Sequence, residues 1–455
     1  MKKYTIFAIL AVFLFAGFAT CVSAAPNVAS TSKNGSLLIF PKIDVSDDRW
    51  QEKDTVVTIS NEGPESVQVQ CIWHYPKISL VTKQDPNRSY DGTSTNIYYK
   101  AYEQVCCGAQ DFTFNLTKNQ VIAFSAKKGT VLKDFGLNGT INPFPTTPAS
   151  GSVGKGELRC FVVQGAATSP KPIAYNKLNG QATIYDFAKK TSEMYTAWAF
   201  NAYAPLKSVM VSSNKNDPLQ LDLTGKPGAY DACPSYLSFN FLADSLENGR
   251  FGTQTEVVLV PCTQDMREAD APGDPVVPTK TVAQFSVFNA DELDLSMPRA
   301  CIKCWFESAL TDTASYAGRQ YRNIDNSGDY FKNFGFRYPR IQDAFQMNEA
   351  GDNFLLDQMG TFFGHARVDA KAGSIAGSKW CSKAEDTIAT PLLGLVTYKF
   401  IVPHFRGKNF DISADADGGV VEDLFYNKWE QAYTGTTNMT GLSAQKGYMR
   451  WSTNQ

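Results

Sequence analysis

The sequence predicts an all-β protein made of two tandem antiparallel β-sandwich domains of immunoglobulin-like type, with long loops and at most short helices. Short runs of alternating apolar and polar residues recur along the chain, and clusters of Gly, Pro, Asn and Asp separate them. Aromatic residues make up 13% of the chain and charged residues only 19%, a composition typical of β-rich extracellular proteins. Local patterns of the first half also recur in the second, which suggests a tandem repeat.

The N-terminus has the features of a secretory signal peptide. Lys2 and Lys3 form a basic start, an apolar run covers Thr5–Ala19, and Val22–Ala24 supplies the small residues of a cleavage site. The apolar run is shorter than the roughly 20 residues that span a bilayer. A membrane anchor and lipidation at Cys21 are the alternatives. We expect an exported bacterial protein, extracellular or at the cell surface and alternatively periplasmic, with no transmembrane span after signal removal.

The length of 455 residues is too great for one ordinary core, so we expect separate domains. A stretch rich in Asn, Pro and Gly interrupts the strand pattern near the middle of the chain and is typical of a linker. The expected organisation is a signal peptide at 1–24, a first β-sandwich at 25–212, a linker at 213–230 and a second β-sandwich at 231–455.

Residues 55–75 (TVVTISNEGPESVQVQCIWHY) carry the clearest pattern in the first domain. The pattern predicts two strands joined by a tight turn at Asn61–Pro64, where Gly and Pro favour a turn. Cys71 and Trp73 lie two residues apart on the second strand and therefore point into the same core. The other strands expected in this domain are 36–43, 111–116, 121–125, 156–163, 181–187 and 195–203.

The second domain repeats three of these local patterns in the same order. The stretch Thr55–Asn61 resembles Thr281–Asn289, and Cys71-Ile-Trp73 resembles Cys301-Ile-Lys-Cys-Trp305. The third pair is Gly180-Gln-Ala-Thr-Ile184 and Gly364-His-Ala-Arg-Val368. Related sandwiches would explain this order, although shared strand and turn chemistry is the alternative. Expected elements are strands at 237–242, 256–261, 282–289, 300–308, 364–370 and 392–402, and short helices at 340–356 and 422–433.

Two long loops are expected in the first domain, at 76–110 and 126–155. Long loops in compact domains are often functional. The first of them is rich in tyrosine, which suggests a binding surface for another extracellular or cell-surface protein or for a glycan; packing of the loop is the alternative. The candidate binding residues are Tyr90, Tyr98, Tyr99 and Tyr102.

The chain has ten cysteines, and cleavage of the signal peptide would remove one of them. In an exported chain disulfides are the default, and an odd count leaves one thiol free or paired between chains. Strand positions suggest that Cys71 pairs with Cys160 and that Cys233 pairs with Cys262. Cys106 or Cys107 could supply a further partner. The full set of disulfide candidates is Cys71, Cys160, Cys233, Cys262, Cys301, Cys304 and Cys381.

Metal sites have little support in the sequence. Cys301 and Cys304 have the spacing of a zinc knuckle, but zinc needs four ligands and no second C-x-x-C pair exists, so disulfides to separate partners are favoured. Cys71 and His74 could suggest copper, yet positions three apart on a strand point to opposite faces. The remaining candidate is calcium, because oxygen ligands alternate at Asp411, Asp415 and Asp417. We predict no other cofactor.

The sequence contains no recognisable catalytic motif. It has three histidines and lacks the G-x-S-x-G motif of serine hydrolases. The formal net charge of −2 argues against nucleic-acid binding. A non-enzymatic structural or binding role outside the cell is therefore the favoured hypothesis. The alternative is a secreted hydrolase that cleaves glycans with paired carboxylates, and metal binding or electron transfer is a third hypothesis. Carboxylates near strand ends are Asp186, Glu193, Glu307 and Asp369.

Overall fold

The computed structural model is all-β, with no helix among the residues it describes. No helix in this part of the chain could therefore serve as a membrane span. The described residues are 27–48, 51–84, 98–132, 139–145, 154–165, 171–187, 191–206, 221–242, 245–246, 252–263, 280–289, 294–309, 363–374, 381, 387, 389–401 and 420–426.

Within these ranges the structure has twenty-one strands. The first half (residues 27–206) contains β1 (Leu37–Asp44), β2 (Asp47–Asp48), β3 (Gln51–Asn61), β4 (Val67–Gln84), β5 (Tyr98–Leu116), β6 (Val121–Ser125), β7 (Gly139–Thr140), β8 (Lys155–Gln164), β9 (Lys171–Pro172), β10 (Leu178–Asp186), β11 (Thr191–Thr196) and β12 (Trp198–Phe200). The second half (residues 221–426) contains β13 (Tyr236–Leu242), β14 (Ser245–Leu246), β15 (Gly252–Pro261), β16 (Thr281–Asn289), β17 (Asp294–Ile302), β18 (Phe306–Ala309), β19 (Phe363–Lys371), β20 (Leu392–Ile401) and β21 (Val420–Tyr426).

The strands of the first half form two antiparallel sheets. Sheet I has the order β12-β1-β8-β4-β5-β7, with β9 paired to β8, and sheet II has the order β11-β10-β3-β2, with β6 paired to β3. Strands β3 and β4 are the two expected from the alternating pattern at 55–75, but they lie in different sheets. The turn between them therefore connects the sheets. Leu38 and Phe40 of sheet I pack against Gly180 of sheet II, so the two sheets face each other.

The second half also contains two antiparallel sheets. Sheet III has the order β13-β19-β16-β17, and sheet IV has the order β14-β15-β20-β21, with β18 paired to β15. The sequence motifs that recur between the halves lie partly on equivalent pairs, because β3 pairs with β10 and β16 pairs with β19. The next motif differs: β17 pairs with β16, whereas β4 and β3 belong to separate sheets. The duplication therefore stays a hypothesis.

Much of the tyrosine-rich segment expected as a loop is a long β-hairpin. Strands β4 and β5 pair continuously from Val67↔Leu116 out to Gln84↔Tyr98, with one register shift after Lys77. The hairpin includes Pro76, opposite Cys107, and Gly108, opposite Tyr75. The expectation of a loop over 76–110 was wrong for its two flanks, which are strands, while residues 85–97 lie outside the described part.

A second correction concerns the helix expected at 422–433. Residues 420–426 form β21, which pairs with β20 along Val396↔Tyr426 to Ile401↔Val420. Its β-branched and aromatic residues favour a strand. Pairing with β20 supplies its backbone hydrogen bonds. The other expected helix, at 340–356, lies outside the described residues.

Strands β1 and β8 are the centre of the molecule. Every residue of β1 is buried, as is every residue of β8 except Gln164. One face of sheet I carries an aromatic cluster in which the ring centroid of Trp73 lies 5.3 Å from that of Phe112 and 5.4 Å from that of Phe144. The other face packs against the second half, so a single hydrophobic core contains residues of both halves.

The contact region between the halves is called the junction below. It is formed by β1, β8 and β12 on one side and by β15, β18 and β20 on the other. Two buried tryptophans cross it: Trp198 Nε1 donates to the carbonyl of Gly394 at 3.0 Å, and Trp305 Nε1 donates to the carbonyl of Pro41 at 2.8 Å. The end of the segment expected as a linker is also packed, with Tyr230 buried.

Candidate functional site: a buried charge cluster at the junction

Six ionisable side chains meet at the junction in a group that we call the charge cluster. Three are cationic and three are anionic, and five strands position them. The members are Lys42 and Asp44 on β1, Lys53 on β3, Lys155 on β8, Glu193 on β11 and Glu307 on β18. Their side chains are between 1% and 11% exposed. A cluster of charges so deep in a β protein requires close pairing, because unpaired buried charges are very costly.

A register shift in β1 sets the position of Lys42. The register of β1 with β8 shifts between Phe40 and Ile43, and Pro41 within that stretch cannot donate a ladder hydrogen bond. The backbone N–H of Lys42 instead donates to the Tyr195 hydroxyl at 3.1 Å, and that hydroxyl donates to the Lys42 carbonyl. Burial raises the pKa of Tyr195, so the phenol stays protonated as a donor.

Lys42 connects the halves electrostatically. Its Nζ lies 3.2 Å from Glu193 Oε2 of the first half and 3.4 Å from Glu307 Oε1 of the second. Burial alone would lower the pKa of this lysine, but the two glutamates outweigh burial and hold it well above 10.5. Lys42 is therefore a charged ammonium at neutral pH.

Lys155 contacts both Glu307 and Asp44, and Lys53 contacts Asp44. Lys155 Nζ lies 2.7 Å from Glu307 Oε2 and 3.6 Å from Asp44 Oδ2, and Lys53 Nζ lies 3.0 Å from the same Asp44 oxygen. Burial opposes ionisation of both acids, but the lysines outweigh it and hold the pKa values of Asp44 and Glu307 below their ordinary range. Burial alone would lower the pKa of Lys53, but the attraction of Asp44 outweighs burial and raises it.

The second oxygen of Asp44 is held by Ser46, two residues after the end of β1. Ser46 donates to Asp44 Oδ1 twice, from its backbone N–H at 3.1 Å and from its hydroxyl at 2.6 Å. The backbone of Asp44 is fixed too, because its N–H donates to Thr55 Oγ1 and the Thr55 hydroxyl donates to its carbonyl, both at 2.9 Å. This carboxyl group is therefore held at both oxygens.

A separate ion pair lies next to the charge cluster on β8. Arg159 Nη2 donates to Glu157 Oε1 at 2.6 Å, and both side chains are fully buried. The same guanidinium crosses the junction, with bonds to the carbonyl of Pro261 and to Thr263 Oγ1, each at 3.1 Å. Burial raises the pKa of Glu157, against the attraction of Arg159. Glu157 Oε2 has no hydrogen-bond partner among the described residues.

The structure brings together two of the four carboxylates proposed for glycan hydrolysis. Glu193 and Glu307 meet around Lys42, but they are buried and neutralised by lysines, so a glycan could not reach them. Asp369 lies elsewhere, where it accepts from Arg367 Nη2 at 2.7 Å. Asp186 is at the end of β10, opposite Lys53. This geometry gives no support to the hydrolase alternative.

Among the residues that the structure describes, eight cysteines form four disulfides. Cys71–Cys160 and Cys233–Cys262 are the pairs suggested by the strand positions. Cys301 and Cys304 bond to separate partners, as their position in a strand favoured. The four pairs are Cys71–Cys160, Cys233–Cys262, Cys301–Cys381 and Cys107–Cys304, the last of which joins the two halves.

The expected ligand sites are largely outside the described residues. Asp411, Asp415 and Asp417, the calcium candidates, are all beyond them, as is Tyr90. Tyr98, Tyr99 and Tyr102 lie on the outer part of β5 rather than in a loop. In the described portion of the chain, no group of three His, Cys, Asp or Glu side chains is arranged to hold a metal ion.

The sequence interpretation missed the lysines of the charge cluster. The available signal was the presence of charged residues inside otherwise apolar strands, in LLIFPKID and KGELRCFVV. Comparison with family models, curated proteins and solved structures found no match to this chain. The geometry of the molecule itself must therefore support any proposal about its function.

Proposed function

We propose that this protein is exported and acts outside the cell as a structural or binding component, at the cell surface or in the surrounding medium. The observation that carries the proposal is the joining of the two halves by a disulfide and by buried ion pairs. Cys107–Cys304 spans 197 residues of sequence and connects β5 to the segment before β18. Disulfides of this kind persist in oxidising compartments and stabilise chains that work outside the cell.

The exposed surface of sheet II supports the binding part of the proposal. Tyr185 and Phe187 stack side by side near the end of β10, with ring centroids 6.2 Å apart, and they are 39% and 54% exposed. Met194 on the neighbouring β11 is 56% exposed. Exposed aromatic residues beside one another favour contact with a sugar ring or with an apolar patch of a partner. This surface could retain the protein at the cell surface.

The first experiment locates the protein and tests its covalent state. Cells that produce the full chain are fractionated, and the protein is followed by immunoblot with and without reductant, together with its resistance to trypsin. We expect it outside the cytoplasm, with four disulfides and a trypsin resistance that reduction removes. A cytoplasmic protein with free thiols would refute the proposal.

The second experiment tests the surface. The double variant Y185A/F187A should fold as the wild type does, because neither side chain belongs to the buried core, and should be lost from the cell-surface fraction into the medium. Val121→Ala is the matched control, since Val121 is 43% exposed on β6 of the same sheet. Equal retention of both variants would contradict a binding role for the aromatic pair.

A further inference from the structure

The charge cluster contains an arrangement that can form a covalent bond. Asp44 and Lys155 are direct partners across the antiparallel pair β1–β8, so their side chains leave neighbouring strands at the same level. Lys155 Nζ lies 3.6 Å from Asp44 Oδ2 and 2.7 Å from Glu307 Oε2. The amine is therefore in contact with one carboxyl group it could attack and with a second one that could move its protons.

Two hydrogen bonds to Asp44 lie where they would stabilise the charge that forms when an amine attacks its side-chain carbon. The two donors of Ser46 on Oδ1, at 3.1 and 2.6 Å, are placed where negative charge would accumulate during attack at the carboxyl carbon. Donors fixed in advance at such a position stabilise the transition state. The other oxygen, Oδ2, faces the lysines and is the one that would leave.

From this geometry we infer that Asp44 and Lys155 condense to an intramolecular amide, an isopeptide bond between β1 and β8. Glu307 passes one proton from the Lys155 ammonium to Asp44 Oδ2, so that a free amine faces a neutral carboxylic acid, and the amine attacks the Asp44 side-chain carbon to form the C–N bond. The C–Oδ2 bond then breaks, and the oxygen leaves as water with two protons from the former ammonium, one of them returned through Glu307. Ammonium plus carboxylate become amide plus water, with no change in oxidation state.

Burial and proximity both favour this reaction. Condensation replaces a buried cation and a buried anion with a neutral amide, which removes the desolvation cost of two charges. Groups held in reacting geometry behave as though present at effective molarities of about 10⁵ to 10⁸ M, which can drive a condensation that is unfavourable between separate molecules in water. The low accessibility of the site also keeps water from reversing the step.

The contacts distinguish Lys155 from its neighbours. Lys53 is closer to Asp44 Oδ2, at 3.0 Å, but it lies across the sandwich on β3, and its ion pairs in the structure do not include Glu307. Its raised pKa keeps it a cation that balances charge on Asp44. Lys42 contacts two carboxylates, both of them glutamates. Lys155 alone among the cluster lysines contacts both Asp44 and a second carboxylate.

Mass spectrometry of the purified full chain tests the inference. After full reduction and denaturation, the protein should be about 18 Da lighter than its sequence from the observed N-terminus, the mass of one lost water. A tryptic map should contain a branched peptide that joins Asp44 to Lys155, with no cleavage after Lys155. A full-length mass with normal cleavage after Lys155 would overturn the inference, and a branch at Lys53 would overturn the assignment of the nucleophile.

Variants test the role of each group. Asp44→Asn should still form the bond, with loss of ammonia, so its mass deficit should be about 17 Da rather than 18. Asp44→Ala and Lys155→Arg should have no deficit, and Glu307→Gln should leave most molecules at full mass while the near-UV circular dichroism stays native. A Glu307→Gln protein with the complete deficit would overturn the role of Glu307. If the variants do not fold, the wild-type peptide map decides alone.

A second ion pair of the chain is the matched control. Lys33 Nζ lies 2.6 Å from Asp231 Oδ2, closer than Lys155 is to Asp44, but the Lys33 side chain is 27% exposed and no second carboxylate is paired with it among the described contacts. The Lys33→Arg variant should retain the same mass deficit as the wild type. Loss of the deficit in this variant would show that the bond lies at Lys33 and would overturn the inference.

Discussion

Replacing Lys42 with methionine should be among the most destabilising single substitutions at the junction. Methionine has a similar length and can fill the space, but it removes the ammonium that lies between Glu193 and Glu307. The two carboxylates would then remain buried without the cation that lies between them. The substitution therefore tests whether the buried charges stabilise the fold as a connected set.

The distances set the size of the effect. At 3.2 and 3.4 Å, each Lys42–glutamate contact is worth about 5 kcal/mol at an effective dielectric constant of about 20. The cost of burying the ammonium offsets much of this attraction. Breaking a buried ion pair by removing one partner costs about 3–5 kcal/mol, and we expect a loss in that range for Lys42→Met at pH 7. The side chain of Lys42 is only 2% exposed, so solvent does not screen the contacts.

The assay is guanidinium unfolding followed by tryptophan fluorescence, with the disulfides intact. A double-mutant cycle with Glu193→Gln isolates the pair. In the double variant both the ammonium and the carboxylate that faced it are gone, so the two losses should overlap by at least about 1.5 kcal/mol. Lys128→Met is the control, because Lys128 is exposed and its loss should change stability by less than about 0.5 kcal/mol. Equal midpoints for Lys42→Met and the wild type would refute the reasoning.

Three further predictions follow from the same region. The double variant C107S/C304S should lose up to about 5 kcal/mol of unfolding free energy, because its loop of 197 residues is the longest of the four; unchanged denaturation midpoints would contradict this. Gly156→Ala should cost about 3 kcal/mol or more, since a β-carbon there would lie 2.1 Å from the His74 carbonyl oxygen, and thermal unfolding measures the loss. The lowered pKa of Glu307 adds stability above its ordinary value of 4.5 that is lost as the pH falls through its lower folded value; the same unfolding midpoint at pH 3 as at pH 7 would argue against it.

Alternation alone located many of the strands, but it could not assign them to sheets. The pattern at Val57 and Ile59 and the pattern at Cys71 and Trp73 each predict one buried face, and both faces are buried in the structure. Nothing in that periodicity states whether the strand across a turn is the partner in the ladder or the start of the opposite sheet. Strand β4 joins sheet I by pairing with β8, and β3 joins sheet II by pairing with β10. In both pairs the partner residues are more than 80 positions apart in the sequence.

The charge cluster was beyond sequence reasoning for a related reason. Lys42, Asp44 and Lys155 interrupt apolar strands, and period-2 reasoning assigns a charged residue to the solvent face. That assignment fails here because the second half covers the face in question. The glutamate that completes the cluster, Glu307, is more than 150 residues from Lys155 in the sequence. Only the tertiary fold shows that these charges neutralise one another.

Strands β1 and β8, buried on both faces, constrain the order in which the molecule can be completed. The residues that cover their outer face include Glu307 and Gly394, which are synthesised long after β8. Until then the emerging first half must present an apolar and charged surface with no partner. We expect a chain truncated before β18 to be captured by chaperones or degraded, and final folding to follow the synthesis of β20.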